Sequence, residues 1–257
     1  MCSSDTEISL LKKQLDEARR EAEAEKQTAQ EFLSSVSHEL RTPVAVLRGS
    51  LEALCDGVID DSEQVKEYHR QMLAESIYLQ RLVNDLLEFS RLQNSGFEIS
   101  MSPVNVYDVI SDICRSMRQI AQDKGVIFER KYESGCYFIN GDYARLRQML
   151  IVILDNAIKF TDVGGKVMVS CLEKENQLLL CISDTGCGMP EENLGEIFTK
   201  FHRLVSDSNR SGTGLGLAIA KEIAQRHEVE ITVKSKINEG STFEFMFKNK
   251  LDINDFM

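Results

Sequence analysis

The sequence of 257 residues has no long hydrophobic run and no excess of basic charge. No apolar stretch approaches the length of a membrane-spanning helix, and the N-terminus lacks the apolar segment of a signal peptide. The 41 acidic and 30 basic residues give a formal net charge of -11. A chain of this charge has no overall electrostatic reason to bind nucleic acid or an anionic membrane. If it binds a nucleotide triphosphate, it must do so with a few placed cations, backbone amides and a metal.

The sequence also lacks cysteine pairs at the spacing of metal ligands. Its seven cysteines are an odd number, which favours free thiols in a reducing compartment and hence a cytoplasmic location. The composition, 42% hydrophobic and 28% charged, is typical of globular proteins. The length suits one large domain or two small ones.

The N-terminal segment, residues 1–31, is predicted to be a coiled-coil linker helix. It is rich in Glu, Ala, Lys and Gln, has no proline or glycine, and places Ile8, Leu15 and Ala22 at one heptad position. Between Ala29 and Leu33 the heptad phase changes by a stutter. Two interpretations remain open here, a simple helical linker and a signalling joint.

Residues 32–96 are predicted to form a helical hairpin. Its first helix has leucines at seven-residue intervals, and the turn lies at Cys55–Asp61, where Gly57 and acidic residues interrupt the pattern. The second helix begins at Ser62, and only Glu75 breaks its apolar stripe. Because a hairpin alone cannot bury both stripes, we expect a homodimeric four-helix bundle. The leucines are Leu33, Leu40, Leu47 and Leu54, and the second stripe is Val65, Tyr68, Met72, Leu79, Leu82, Leu86 and Phe89.

The sequence pattern of residues 97–250 differs from that of the hairpin. It predicts an α+β sandwich with helices on one face of a mixed sheet. The last residues, 251–257, are predicted to be a tail. Strands are predicted at 125–131, 166–172, 178–183, 230–234 and 241–247, and helices at 106–123, 142–159 and 214–226.

His38 is the candidate reactive side chain of the hairpin. With Leu33 and Leu40 in the helical seam, His38 takes the most outward position of its helix. Glu39 is adjacent, Thr42 lies one turn further on, and Pro43 frees the carbonyl of Glu39 and favours a kink. A neutral imidazole nitrogen is nucleophilic near pH 7, and a neighbouring carboxylate can fix its tautomer.

The string SVSHELRTPV at 35–44 resembles the phosphoacceptor box of sensor histidine kinases. The resemblance implies that His38 accepts a phosphoryl group on a ring nitrogen. It implies that Glu39 helps to deprotonate and orient the imidazole, and that Thr42 positions water for dephosphorylation.

Further strings resemble the ATP site of that family, in the same order. DNAIKFT at 155–161 implies that Asn156 ligates Mg²⁺ and that Lys159 contacts phosphate oxygens. DTGCGMP at 184–190 resembles the first glycine box. There Asp184 would accept a hydrogen bond from the adenine amino group, while Gly186 and Gly188 let the backbone turn against the ring.

The remaining two strings lie around a lid expected at about 199–212. IFTKFHR at 197–203 resembles the phenylalanine-containing segment, with Arg203 a further phosphate contact. GTGLGLAIAK at 212–221 resembles the second glycine box, whose amides and helix start favour phosphate. Its implied nucleotide-binding residues are Gly212, Thr213, Gly214, Leu215 and Gly216.

Three positions depart from the family pattern. Val152 stands where a second asparagine is usual, which puts metal affinity in doubt, although it equally fits packing beside Ile151 and Ile153. His202 replaces a common tyrosine. HEVE at 227–230 lacks the usual glycines, which predicts a tighter helix-to-strand connection.

The resemblance covers about residues 32–248 and implies a Bergerat-type ATP-binding domain after the hairpin. It implies a kinase that uses ATP and Mg²⁺, phosphorylates its own His38, and passes the phosphoryl group to the receiver domain of a response regulator, with possible phosphatase activity. Relatives carry upstream sensors and membrane spans, so the chain is expected to be cytoplasmic, or the cytoplasmic part of a membrane-bound sensor. A related ATPase and a non-catalytic dimeric scaffold are the alternatives. A hinge is expected near 94–97.

Overall fold

The computed structural model describes residues 2–94, 96–133, 135–174, 176–202 and 212–251. The chain divides into two compact units, Met1–Arg81 and Leu82–Met257. Among the described helices, none combines the length and the apolar character needed to cross a membrane.

The first unit is built from two long helices. Helix α1 spans Cys2–Cys55 without a break, so the predicted linker helix and the first hairpin helix are one element, with Pro43 inside it. Helix α2 spans Ser62–Gln93, and its start is capped by Asp61, whose carboxylate accepts hydrogen bonds from the backbone N–H groups of Glu63 and Gln64. The turn lies between Cys55 and Ser62, as predicted.

The hairpin of the first unit buries one stripe and leaves another exposed. The seam residues Leu40, Leu47, Leu54, Met72 and Leu79 are half-buried. Leu33, which was predicted to lie in the seam, is exposed instead. The large apolar side chains of the hairpin with exposed fractions between 40% and 63% are Leu33, Val44, Leu51, Leu73 and Ile77. The hairpin therefore presents unburied apolar surface that a single copy of the chain does not cover.

The second unit contains a mixed five-stranded sheet in the order β2-β4-β5-β7-β6. Strands β2 and β4 are parallel, and the other neighbours are antiparallel. A separate antiparallel pair joins β1 and β3. The strands are β1 Ser102–Asn105, β2 Ile127–Lys131, β3 Phe138–Gly141, β4 Lys166–Lys174, β5 Gln177–Asp184, β6 Glu230–Lys236 and β7 Gly240–Phe247.

Helices α3 (Val106–Lys124), α4 (Tyr143–Phe160) and α5 (Gly216–Arg226) supply the other half of the core. A short 3₁₀ helix spans Glu191–Asn193. The sheet buries alternate side chains, because successive residues of a strand point to opposite faces. The buried apolar side chains of β5 and β7 are Leu178, Leu180, Ile182, Phe243, Phe245 and Phe247, and the helices add Ile110, Ile113, Leu150, Ile153 and Leu154.

The fold class predicted from the sequence is confirmed: a helical hairpin is followed by a domain in which helices pack against a mixed sheet. All five predicted strands and all three predicted helices of this domain are present within a few residues. Strands β1 and β3 were not predicted. The last turns of α2 belong to the second unit, because Leu82, Phe89 and Leu92 are buried there.

Candidate functional site

The predicted phosphoacceptor segment lies in the middle of α1. His38 is exposed, as its predicted outward position requires, whereas Glu39 and Thr42 are half-buried. The Thr42 hydroxyl donates to the backbone carbonyl of His38 over 3.4 Å. Pro43 is buried, and as a proline it has no N–H group to donate to the carbonyl of Glu39. The imidazole is therefore accessible, with a carboxylate and a hydroxyl on neighbouring positions of the helix.

A tyrosine that the sequence did not indicate also belongs to this region. The Tyr78 hydroxyl of α2 donates to Oε2 of Glu39 over 3.0 Å. Both side chains are half-buried. The acid next to His38 is thus tied to the second helix of the hairpin.

In the second unit, α4 carries Asn156 and Lys159 at its C-terminal end, and both are half-buried. Val152, one turn before Asn156, lies against the first residue of α5. A Cβ placed on Gly216 would lie 3.1 Å from Cγ1 of Val152. The valine therefore has a packing role where α4 meets the second glycine box.

Asp184 ends β5 and anchors the first glycine box. Its Oδ1 accepts hydrogen bonds from the backbone N–H of Gly186 (2.8 Å) and of Ser241 (3.2 Å). Burial raises the pKa of the Asp184 carboxyl, and the two N–H donors partly oppose that rise. Both of these hydrogen bonds use Oδ1 of Asp184, and Oδ2 takes part in neither of them.

The glycines of the first box are required by close backbone contacts. At Gly186 an added Cβ would lie 2.3 Å from the carbonyl oxygen of Phe160, the last residue of α4. At Gly188, φ is 64° and an added Cβ would lie 1.9 Å from the carbonyl oxygen of Lys236. The box therefore packs directly against the end of α4 and the end of β6.

The second glycine box leads into α5. Thr213 is buried, its hydroxyl donates to Oδ2 of Asp85 over 2.5 Å, and it accepts the backbone N–H of Leu215. The Lys159 ammonium lies 3.7 Å from where a Cβ on Gly212 would be. The structure thus brings Lys159 beside this box, and the sequence predicts that both contact phosphate. Leu215 is fully buried and Gly216 begins α5.

The phenylalanine-containing segment packs beside Gly214. The Phe201 N–H donates to the Gly214 carbonyl over 2.9 Å, and Phe201 has a φ of 61°, an unusual backbone conformation for a bulky residue. Phe198 meets Phe243 edge to face, and His202 lies 3.7 Å from Glu196. Arg203 and most of the expected lid lie outside the described residues.

Within the second unit, polar contacts that the sequence did not indicate join the end of α2 to α4 and α5. Arg226 of α5 donates to the backbone carbonyls of Leu92, Asn94 and Phe97. Arg145 of α4 forms an ion pair with Glu88. The stretch around the expected 94–97 hinge is therefore held by a guanidinium group.

The HEVE segment makes a three-residue connection between α5 and β6, as its lack of glycines predicted. His227 is buried and bonds at both ring nitrogens. Nδ1 lies 2.7 Å from the Ile223 carbonyl, and Nε2 accepts the Asp142 backbone N–H over 3.0 Å. Nδ1 must donate, so the ring is neutral in this arrangement, and burial lowers its pKa.

The donor set suits a metal that arrives with a nucleotide rather than a resident ion. Within the described ranges, no group of three or more His, Cys, Asp or Glu side chains is placed to hold a metal. Asn156 offers one amide oxygen and Val152 offers none. Mg²⁺ commonly binds through one or two protein ligands together with phosphate oxygens and water, so one amide fits such a site.

Comparison with known families gives two matches in chain order. Residues 28–95 match the model described as the His Kinase A (phospho-acceptor) domain. Residues 141–251 match the model described as histidine kinase-, DNA gyrase B-, and HSP90-like ATPase. The two matches contain the His38 segment and the glycine boxes respectively.

Individual relatives agree with these matches. The sensor protein SrrB of Staphylococcus aureus (strain N315) is 34% identical over 219 residues, which is 84% of this chain and 37% of SrrB. Histidine kinase AdeS of Acinetobacter baumannii is similar in structure, with a TM-score of 0.64, 25% identity and coverage of 82% of this chain and 98% of AdeS.

Full-length ShkA, solved in complex with AMPPNP, has a TM-score of 0.63 and 28% identity over 86% of this chain and 46% of ShkA. The present chain therefore spans less than half of the length of SrrB and of ShkA.

Proposed function

This chain belongs to the sensor histidine kinases, and we propose that it transfers the γ-phosphoryl group of ATP to its own His38. The observation that carries the proposal is the combination of two parts in one chain. An exposed histidine with an adjacent glutamate lies on a helical hairpin, and a domain with Asp184 and two glycine boxes follows it. The ATPase match supports ATP as the phosphoryl donor.

The transfer step forms one bond and breaks one. A neutral ring nitrogen of His38 attacks the γ-phosphorus in line, an N–P bond forms, and the bond from that phosphorus to the β,γ-bridging oxygen breaks, which releases ADP. The imidazole proton passes to Glu39 and then to solvent. Catalysis of phosphoryl transfer depends mainly on positioning the reactants and neutralising the phosphate charge. The catalytic contribution of the protein is therefore the placement of the groups that bind the nucleotide and His38.

The nucleotide is held by the groups of the second unit. Asp184 accepts from the adenine amino group, with Gly186 and Gly188 under the base. The amides of the second glycine box, from Gly212 to Gly216, and the start of α5 receive the phosphates, together with Lys159. Asn156 would hold a Mg²⁺ ion together with phosphate oxygens and water, and the ion would neutralise phosphate charge. Arg203 would be a further phosphate contact. The AMPPNP in the ShkA structure supports a nucleotide in this fold.

The proposed partners follow from the hairpin. Its exposed apolar stripe supports a homodimer, in which a second copy completes a four-helix bundle. The receiver domain of a response regulator takes the phosphoryl group from His38, and Thr42 supports the reverse loss of phosphate from that regulator. We place this activity in the cytoplasm, in a free protein or in the cytoplasmic part of a membrane-bound sensor.

The test is incubation of the whole chain with γ-labelled ATP and Mg²⁺, followed by acid and base treatment of the labelled protein. A phosphohistidine is lost in acid and kept in base, and we expect such a label on the wild type. His38→Gln should abolish it, while ATP binding and dimerisation persist. His69→Gln is the matched control, because His69 is also an exposed histidine of the hairpin.

Labelling that persists in His38→Gln would contradict the assignment. ATP hydrolysis without any protein-bound label would favour the related ATPase. Dimers that neither bind nor turn over ATP would favour the non-catalytic scaffold.

A further inference from the structure

We infer that Lys124, the last residue of α3, is a positioning residue for the nucleotide site, because its ammonium group holds the last turn of α4. The inference rests on the proposed function, in which that end of α4 provides Asn156 and Lys159. Lys124 donates to the backbone carbonyl of Ile158 over 2.9 Å and also to that of Lys159. The two carbonyls lie 34 and 35 positions further along the chain, so the contact joins two separate helices.

The end of α4 needs donors from outside the helix. The last four carbonyl groups of an α-helix have no N–H partner within it. In α4 the Thr161 hydroxyl donates to the carbonyl of Ala157 over 2.7 Å, and the Cys187 backbone N–H donates to that of Phe160 over 3.3 Å. Lys124 supplies the donors for the other two carbonyls. One ammonium group therefore satisfies two of these four acceptors.

The backbone of Lys124 is itself fixed close to α4. The next residue, Gly125, ends α3 in the left-handed conformation with a φ of 77°. Its carbonyl accepts the backbone N–H of Gly164 over 2.8 Å, and the Ile127 N–H donates to the Gly165 carbonyl over 2.8 Å. The segment after α3 is thus bonded to the loop after α4. The half-buried Lys124 side chain extends from a backbone that is already tied to this region.

The charge of Lys124 suits its place at the end of α4. The carbonyl end of a helix carries partial negative charge, which a nearby cation stabilises. Hydrogen bonds from a charged donor are also stronger than those from a neutral one. A neutral side chain of the same length would lose both contributions.

The turn that Lys124 holds joins two parts of the proposed nucleotide site. Asn156 and Lys159, the proposed metal ligand and phosphate contact, lie at this end of α4. The Phe160 carbonyl accepts the N–H from the first glycine box, and an added Cβ on Gly186 would lie 2.3 Å from that carbonyl oxygen. A displacement of the turn would therefore move phosphate-binding and base-binding groups together. Lys124 acts through these groups and is assigned no contact with the nucleotide.

The first measurement is the dissociation constant of AMPPNP with Mg²⁺ for the whole chain, by calorimetry. AMPPNP has nitrogen in place of the β,γ-bridging oxygen, so that binding is measured without phosphoryl transfer. Lys124→Met keeps the length of the side chain and removes its charge and its N–H donors. We expect its Kd to rise roughly three- to tenfold, the range that one hydrogen bond supports. Lys124→Arg keeps the charge and the donors and should recover most of the affinity.

The matched control is Lys166→Met. Lys166 is also a half-buried lysine of the second unit, and its ammonium pairs with Glu129 over 2.9 Å. The control removes one positive charge from the same unit and should bind AMPPNP with the wild-type Kd. Thermal unfolding of each variant identifies a temperature at which all of them are folded, so that a loss of stability alone does not change Kd. If Lys124→Met does not fold, Lys124→Gln, which keeps N–H donors without the charge, should show a smaller loss of affinity.

The second measurement is autophosphorylation at varied ATP concentration. In Lys124→Met the KM for ATP should rise by the same factor as Kd. The kcat should change by less than about twofold, because Lys124 takes no part in the transfer step and affects binding of the nucleotide before it.

A wild-type Kd in folded Lys124→Met, an equal loss of affinity in Lys166→Met, or a fall in kcat alone would overturn the inference. Failure of the wild-type chain to bind AMPPNP would instead overturn the proposed function. The titration of the wild type therefore distinguishes the two failures.

Discussion

The hydroxyl of Thr213 and the carboxylate of Asp85 are joined by a hydrogen bond of 2.5 Å, which fastens the second glycine box to the last turns of α2. Thr213 is buried, so its hydroxyl depends on protein partners. The same hydroxyl accepts the Leu215 N–H at the start of α5. One side chain therefore links the loop that is proposed to hold phosphate to the helix that leads out of the hairpin.

This bond predicts a measurable coupling. Thr213→Val and Asp85→Ala should each lower the free energy of unfolding by about 1.5–3 kcal/mol, the usual range for a hydrogen bond to a charged group. The double variant should lose little more than either single variant, because the same bond is removed. Urea unfolding of the four proteins measures this cycle. Thr213→Ser, which keeps the hydroxyl, is the control, and additive losses would show that the two residues act separately.

Val152 leads to a prediction about magnesium. It is one turn from Asn156 on α4, and its side chain faces Gly216. Val152→Asn adds an amide oxygen near the proposed metal ligand, so we expect a lower Mg²⁺ concentration at half-maximal autophosphorylation. The readout is a Mg²⁺ titration of the labelling rate at saturating ATP.

Val152→Ala is the control for that titration, because it removes the packing against Gly216 without adding a ligand. It should lower stability and leave the Mg²⁺ requirement unchanged. An unchanged titration in a folded Val152→Asn protein would show that the position serves packing alone.

Thr42 is predicted to matter more for phosphatase activity than for kinase activity. Its hydroxyl lies one turn after His38 and bonds only loosely, at 3.4 Å, to the His38 carbonyl. It can therefore turn to align water on a phosphorylated receiver domain. Thr42→Ala should slow loss of phosphate from the regulator several-fold more than it slows autophosphorylation, and Thr42→Ser should retain both. Equal losses in the two assays would indicate damage to the helix instead.

His227 predicts a stability loss in weak acid. Burial lowers the pKa of its imidazole below the ordinary value of 6.5, so the unfolded chain binds the proton more readily than the folded one. The stability that the neutral ring contributes is present above about pH 6.5 and is lost as the pH falls below it. The free energy of unfolding should therefore fall from pH 7.5 to pH 5.5.

His227→Gln should show a shallower fall over the same range, since an amide cannot take up the proton. Urea unfolding at the two pH values makes the comparison. An identical pH dependence in wild type and His227→Gln would assign the effect to other groups.

Much of the fold was predictable because it is encoded locally. Residues 178–182 read LLLCI, a short apolar run that is typical of a buried strand. Strands β1 and β3 were not predicted, because each has only four residues and because β1 contains a proline, Pro103, which is unfavourable in a strand. Their pairing depends on segments that lie far apart in the sequence, so neither strand carries its own signal.

The candidate site also has parts that the sequence predicts and parts that it does not. The histidine box and the glycine boxes are contiguous strings, and a sequence reveals them directly. Tyr78, Asp85 and Arg226 act across helices, and their partners depend on which faces meet after folding. The stutter between Ala29 and Leu33 gave no break in the helix, because a phase change in a hydrophobic repeat alters the supercoil without interrupting backbone hydrogen bonds.

The unbroken course of α1 has a mechanical consequence. A helix of 54 residues is about 80 Å long and resists twisting between its ends because each turn is hydrogen-bonded to the next. A rotation imposed on the residues near Leu15 is therefore delivered to His38 as a change in the direction its imidazole faces. The helix keeps the distance between Leu15 and His38 constant, but it can rotate about its own axis. The direction in which His38 points around that axis is therefore the property that a rotation of the N-terminal part of α1 would change.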